Sequence, residues 1–397
     1  MSATIRNSIA DLKDEIAAYR RSLHENPQTA YEETFASNLV AEKLTEWGIT
    51  HERDIAVTGI VATIEGEKNT SGKGVGLRAD MDALDIQELG DKAHASKTPG
   101  KMHACGHDGH TAALLGAAKF LNENRNFDGK VHLIFQPAEE GQRGAHKMIE
   151  EALFERFPCE TIYGLHNWPQ MPKGTVATRV GPIMASADIV RMTVKGKGGH
   201  AARPHACVDP IVVGSHIITA LQTLISRYKH PVEPAVLSIT YFNAGTGAHN
   251  IIPDNAHMVG TLRTYSHDLR MELKDKIEET ARGIAKAMGA DIDYEFEIVL
   301  DPTVNTPDET AFCLDIAREM VGDENVQDDI LPSMGGEDFG RMLMDVPGCY
   351  VWFGQGEEPD SYHTQGLHTP LYDFNDDIIP LAIEYWARIV ERALPLK

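Results

Sequence analysis

Four short segments of this 397-residue sequence concentrate the side chain types that bind divalent metals. MHACGHDGHTAALL carries His103, Cys105, His107, Asp108 and His110, and IFQPAEEG carries the adjacent Glu139 and Glu140. YGLHNWP contributes His166 and GLHTPLYDFND contributes His368. Thiolate, imidazole and carboxylate are the usual protein ligands of zinc. Three to five of them around an open position suit hydrolysis, because two ions about 3.5–4 Å apart can clamp a water and a reacting carbonyl together. A Cys-x-His pair can give one ligand to each ion or share an ion through the thiolate, and a metal-bound thiol loses its proton outright.

Taken singly, each of these residues has a bland reading. A loop cysteine is commonly a small buried apolar residue. His103 and His110 fit structural roles, and an adjacent Glu pair is commonly a solvated acidic patch. Their joint occurrence at the ends of predicted strands is what points to a site. The Glu-Glu pair has a specific use, since neighbours on extended chain point to different sides. One carboxylate can bind metal while the other takes a proton from water and passes it to a leaving amine. Spacing alone leaves open which is which.

The elements that must position these residues are legible as periodicities. Ile5, Ile9, Leu12, Ile16, Tyr19 and Leu23 predict an amphipathic helix ending near Asn26-Pro27, and a second helix spans Thr34 to Trp47. VTGIVATI, GVGLRAD, KVHLIF, TIYGLH and CYVWFG read as strands, with helices at Thr111–Leu121, Ala145–Leu153 and Asp376–Leu394. The helix after Cys105 and His107 is expected to begin at about Asp108. Alternating strands and helices predict an α/β domain with a mainly parallel sheet, whose sites form outside the carboxyl ends of strands. From about Ala185 the order becomes β-α-β-β-α-β, the ferredoxin-like arrangement. The chain is thus expected to form a catalytic α/β domain in two pieces, 1–184 and 299–397, with a lid or dimerisation domain inserted at 185–298.

Lys plus Arg is 37 against 59 Asp plus Glu, a net charge of −22. A surface this acidic repels phosphate backbones, so nucleic acid is not an expected partner. No apolar run is long enough for a membrane span, and the N-terminal segment reads as a helix of the fold. Five scattered cysteines argue for a reducing compartment, hence a cytoplasmic location.

The segments HACGHDGHTA, QPAEEG, LHNWP, KGKGGHAARPH, HNIIPD, GTLRT and LHTPLYDFND together resemble the aminoacylase/carboxypeptidase superfamily of co-catalytic metallohydrolases. The resemblance is to its branch of hippurate hydrolases and indole-acetyl-amino-acid hydrolases. It implies Cys105, His107, Glu140, His166 and His368 as ligands of two divalent ions, zinc first and manganese second, with Glu139 as general base. His200 is implied as oxyanion donor, often across a dimer, and Asn250 and Arg263 as the grip on the substrate's free carboxylate. Where the wider superfamily places His-x-Asp, this chain has Asp80-Met81-Asp82. His107 then supplies the imidazole, Asp82 becomes a candidate support residue, and Asp80 has no assigned role. The implied activity is hydrolysis of N-acyl amino acids. The rivals on this scaffold are a dipeptidase or carboxypeptidase and an N-acetyl-diamino-acid deacetylase, and outside catalysis a silent metal-binding protein. An alternating strand of the inserted domain is suited to pair with a copy of itself, so a homodimer or dimer-based oligomer is expected.

Overall fold

The computed structural model describes residues 4–359 and 361–396, which divide into two compact units. The first comprises Met1–Ile183, Val304–Leu331 and Asp338–Lys397; the second comprises Met184–Thr303 and Pro332–Glu337.

The first unit is built on an eight-stranded sheet. Its spatial order is Thr50–Ile55, Gly59–Glu65, Lys130–Gln136, Gly74–Asp80, Thr161–Pro172, Gly348–Gly356, Val176–Ala177 and Val326–Gln327. The four strands from Lys130–Gln136 to Gly348–Gly356 are mutually parallel, and antiparallel pairs lie towards both edges. The central strands are buried on both faces, which explains why they read as nearly continuous apolar runs. The first predicted helix is interrupted at Asp11–Leu12 into Asn7–Ala10 and Lys13–Glu25. The helix His107–Glu123 is buried almost throughout. It can approach its neighbours because Gly109 and Gly116 leave room: a Cβ there would lie 2.3 Å from Phe374 and from Ile383, respectively.

The second unit is a four-stranded antiparallel sheet, ordered Ala235–Ala244, Asn255–Thr264, Ala187–Lys195 and Asp291–Leu300. The helices Pro210–Thr223 and His267–Ala287 pack on it, around Val190, Met192, Val194, Met258 and Leu262. Asp209 and Ser266 cap the two helices by accepting from Ile211 N and Leu269 N. This unit reaches beyond the sequence boundaries of 185 and 298. Arg270 is fully buried and donates to Asp188 and, at 2.7 Å, to Asp301, tying the chain after Leu300 to the helix. Ala185 N donates to Gly335 O, and Tyr265 Oη donates to Pro332 O, so residues 332–337 also belong here.

Candidate metal centre

The loop before His107–Glu123 is shaped by Gly106, whose φ of 103° is a left-handed conformation that favours glycine. A side chain there would also collide, since a Cβ would lie 2.2 Å from Asn167 Oδ1 and 2.6 Å from Tyr372 Oη. This turn makes His107 the first helical residue, one earlier than the sequence suggests, and leaves Cys105 in the loop. His166 enters from the strand Thr161–Pro172. Pairing with Gly74–Asp80 runs only as far as Gly164, so His166 lies just past the end of that ladder. Its Nε2 is 3.3 Å from Cys105 Sγ. His368, at φ 61°, is tethered to the same loop by its backbone N–H, which donates to Ala104 O at 2.8 Å.

Glu139 and Glu140 follow the strand Lys130–Gln136, but not on extended chain as the sequence reading assumed. Ala138 has φ 55°, and Gly141 N donates to Glu139 O at 2.6 Å, so the pair sits on a tight turn. The fold-back brings the two carboxylates to one site, with an oxygen of each within 4.8 Å of the other, where strand alternation would have set them on opposite sides. Glu140 Oε1 lies 3.1 Å from His368 Nε2. Glu139 is buried, and its Oε1 receives a long 3.4 Å contact from Asp338 N.

Ligand atoms of Cys105, His107 and His166 all fall within 4.8 Å of one another, as do those of Cys105, Glu140 and His368, and those of His107, Glu139 and Glu140. Cys105 is common to two of these groups and Glu140 to two. The five sequence-proposed ligands therefore converge, with Glu139 among them.

The hydrogen bonding fits divalent cations. His107 Nδ1 faces Asp82 O at 3.0 Å and Asp82 Oδ1 at 3.1 Å. A carbonyl can only accept, so Nδ1 carries a proton, and Nε2 is the nitrogen left to bind a metal once its own proton is displaced. That Nε2 is buried without a hydrogen-bond partner. His166 Nδ1 likewise donates to Asn167 O at 2.7 Å, which frees its Nε2. Histidine ligands of metals are commonly oriented through their second nitrogen in this way. Burial, together with the charges of Glu140, Glu139 and Asp80, pushes the Cys105 thiol well above its ordinary value. Burial opposes charge on His107 too, but Asp80 and Asp82 outweigh it and raise the imidazole to about 10. A cluster with this excess of buried negative charge is suited to cations, which would displace both protons.

Asp80 is committed elsewhere. Its Oδ2 accepts from Arg78 Nη1 at 2.6 Å, and its Oδ1 lies 2.6 Å from His110 Nδ1. His110 Nε2 faces Asn167 Oδ1 at 2.8 Å, so both nitrogens of this ring face protein partners. His103 is also buried; desolvation, despite the nearby Asp108, lowers it to about 3.

Several supporting contacts are not legible in the sequence. Asp108 is ion-paired with Arg20, its Oδ2 2.9 Å from Nε, and lies 2.8 Å from His24 Nδ1; His24 in turn reaches Glu88 at 3.2 Å. Arg20 also pairs with Asp373. Removing one partner of such a buried ion pair typically costs about 3–5 kcal/mol. Asp338 accepts from Arg78, Gln136 and Ala145 N.

His200, Asn250 and Arg263 belong to the second unit. His200 pairs with Ile251 in a two-residue ribbon, and Ala201 N donates to Asn250 O at 3.0 Å, so His200 and Asn250 are neighbours. Both are exposed. Arg263 is half-buried on the strand Asn255–Thr264, with Nη1 3.4 Å from Met334 O.

Comparison with known proteins agrees with this geometry. Residues 76–392 match the model of peptidase family M20/M25/M40. A hippurate hydrolase of Campylobacter jejuni is 39% identical over 97% of this chain and 98% of its own. An IAA-amino acid hydrolase of Arabidopsis thaliana is 38% identical over 97% of this chain and 87% of its own. Among solved structures, a dinuclear metal-binding peptidase of the M20 family from Bacillus subtilis matches with a TM-score of 0.83. It is 33% identical and covers 97% of this chain and 99% of its own.

Proposed function

The chain belongs to peptidase family M20/M25/M40 and is a metal-dependent amide hydrolase; from that premise we propose that it cleaves small N-acyl amino acids to a carboxylic acid and a free amino acid. The observation that carries this reading is the convergence of Cys105, His107, Glu140, His166 and His368 around Glu139. We assign those five as ligands of two divalent ions, with zinc first and manganese second. When bound, the ions supply Lewis acidity to the carbonyl and acidify a water.

The remaining steps fall to the chain's own residues. Glu139 takes the water's proton and hands it to the departing amine nitrogen. His200 donates to the developing oxyanion, a contribution of the kind worth about 2.7–4 kcal/mol. Arg263 and Asn250 hold the amino-acid carboxylate. The half-buried Arg263 guanidinium supports this role, because its fork matches a carboxylate and its only hydrogen bond among the described residues is the long one to Met334 O. A cationic grip also answers how so acidic a protein accepts an anionic substrate. The names of the hippurate and IAA-amino acid hydrolases favour an N-acyl substrate over a dipeptide. We further assign a homodimer or dimer-based assembly, supported by the exposed Val236, Tyr241 and Phe242 on the edge strand Ala235–Ala244. A cytoplasmic location is supported by the five free cysteines. Among the described residues, no helix is long and apolar enough to cross a membrane.

The test is a panel of hippurate, N-acetyl amino acids and dipeptides on enzyme loaded with zinc or manganese, alongside Glu139→Gln. N-acyl amino acids are expected to be the better substrates. Glu139→Gln is expected to keep both ions while losing about 10²–10⁴-fold in kcat. A preference for dipeptides would move the protein to the carboxypeptidase reading, and near-native kcat in the variant would remove Glu139 as the base.

A further inference from the structure

The Glu139–Glu140 turn is held at both ends by carboxylates that are not part of the ligand cluster. On one side Asp82 Oδ2 accepts from Glu140 N at 2.8 Å. On the other, Glu33 Oε1 accepts from Ala138 N at 2.9 Å, and Glu33 Oε2 accepts from Thr58 Oγ1 at 2.6 Å. Glu33 is fully buried, at the start of the helix Thr34–Glu46. Ala138 is held through both of its backbone polar groups, because its carbonyl also accepts from Gly144 N at 2.9 Å. Ala138 has the left-handed φ of 55° that swings the chain from the strand into the turn. An alanine in that conformation is held by its surroundings and not by its own preference.

We infer that Glu33 is a positioning residue for Glu139: by holding the Ala138 amide it fixes the left-handed turn that aims the Glu139 carboxylate at the reacting water. The two braces divide the work. Asp82 holds the Glu140 end and orients His107, so it serves metal binding. Glu33 holds the Ala138 end, next to Glu139, and touches no ligand. Removing Glu33 leaves a buried N–H without its acceptor and lets the turn relax on the Glu139 side, while Glu140 stays anchored through Asp82 and His368. Both Glu33 bonds are acceptor bonds; a glutamine keeps the one to Ala138 N and reverses the one to Thr58. Its amide oxygen can take the Ala138 N–H while its NH2 donates to Thr58 Oγ1.

This inference rests on the assignment of Glu139 as base, and its test keeps the two apart. Glu33→Ala, Glu33→Asp, Glu33→Gln, Thr58→Val and Glu139→Gln are prepared in the full chain, and metal content, KM and kcat are measured on the folded, metal-loaded fraction. A displacement of about 1 Å at a catalytic group can cost about 100-fold in rate, so Glu33→Ala is expected to lose kcat on that scale with two ions bound and KM unchanged. Glu33→Asp keeps the charge but falls short of the amide, and loses kcat in the same way even if the alanine variant fails to fold. Glu33→Gln and Thr58→Val are expected to stay within about threefold of wild type in kcat. The inference is overturned if Glu33→Asp keeps wild-type kcat, if kcat falls only in proportion to bound metal, or if Glu33→Gln is as damaged as Glu33→Asp. Near-native kcat in Glu139→Gln would instead overturn the base assignment beneath it.

Discussion

Asp82 braces His107 through two acceptors at once: its carbonyl oxygen lies 3.0 Å and its Oδ1 3.1 Å from the same Nδ1. The second carboxylate oxygen takes Glu140 N, so one side chain sets the tautomer of one candidate ligand and the backbone position of another. Loss of such support typically weakens metal affinity by about 10–100-fold. Asp82→Ala is therefore expected to lower affinity on that scale in chelator competition, with secondary structure intact. Wild-type affinity would show that His107 is oriented by something else.

Gly106 makes a sharper prediction about folding. Gly106→Ala forces a side chain onto Asn167 and Tyr372 from a left-handed backbone. Positive-φ strain alone costs about 1–3 kcal/mol, and the collision adds to it. The variant is expected to unfold at lower denaturant concentration even after metal is stripped with chelator, which separates a backbone effect from a ligand effect. An unchanged midpoint would mean that the loop relaxes freely.

Arg263→Ala addresses the substrate end of the reaction. If the guanidinium holds the free carboxylate, its loss removes binding made equally in ground and transition states, so KM rises while kcat is largely kept. A hydrogen bond to a charged group is worth about 1.5–3 kcal/mol, which corresponds to about tenfold or more in KM. The corresponding amino-acid amides, which lack the carboxylate, should be little affected. An unchanged KM for carboxylate substrates would take Arg263 out of the binding site.

Acid sensitivity should trace in part to His132, which lies away from the metal ligands on the strand Lys130–Gln136. It is buried beside Phe157 with Nδ1 2.9 Å from Thr63 Oγ1, and desolvation lowers it to about 4. The unfolded chain, with histidine near 6.5, binds the proton more readily than the folded one. Its contribution is thus complete above about pH 6.5 and is lost as pH falls towards 4, amounting to no more than about 3 kcal/mol. Denaturant titrations of metal-free protein at a series of pH values should show His132→Leu with a shallower decline across that window. A parallel decline in both proteins would assign the acid limb to other groups.

The sequence by itself determined the parts that depend on local spacing. Period-two and period-3.6 patterns set the strands and helices, and the four metal-binding segments were visible because each concentrates ligand types in a few consecutive residues. The family likeness, carried by the same segments, was legible too. Only the tertiary structure decided which side chains serve those ligands. Asp82 and His107 are 25 residues apart, and Glu33 and Ala138 are 105 apart. No periodicity links such pairs; they meet because the sheet order and the left-handed turns at Gly106 and Ala138 bring their loops together. The same reason explains Asp80, which the sequence left without a role and whose oxygens face Arg78 and His110. Residue type can nominate a metal ligand, but whether its lone pair is free depends on partners that the fold alone supplies.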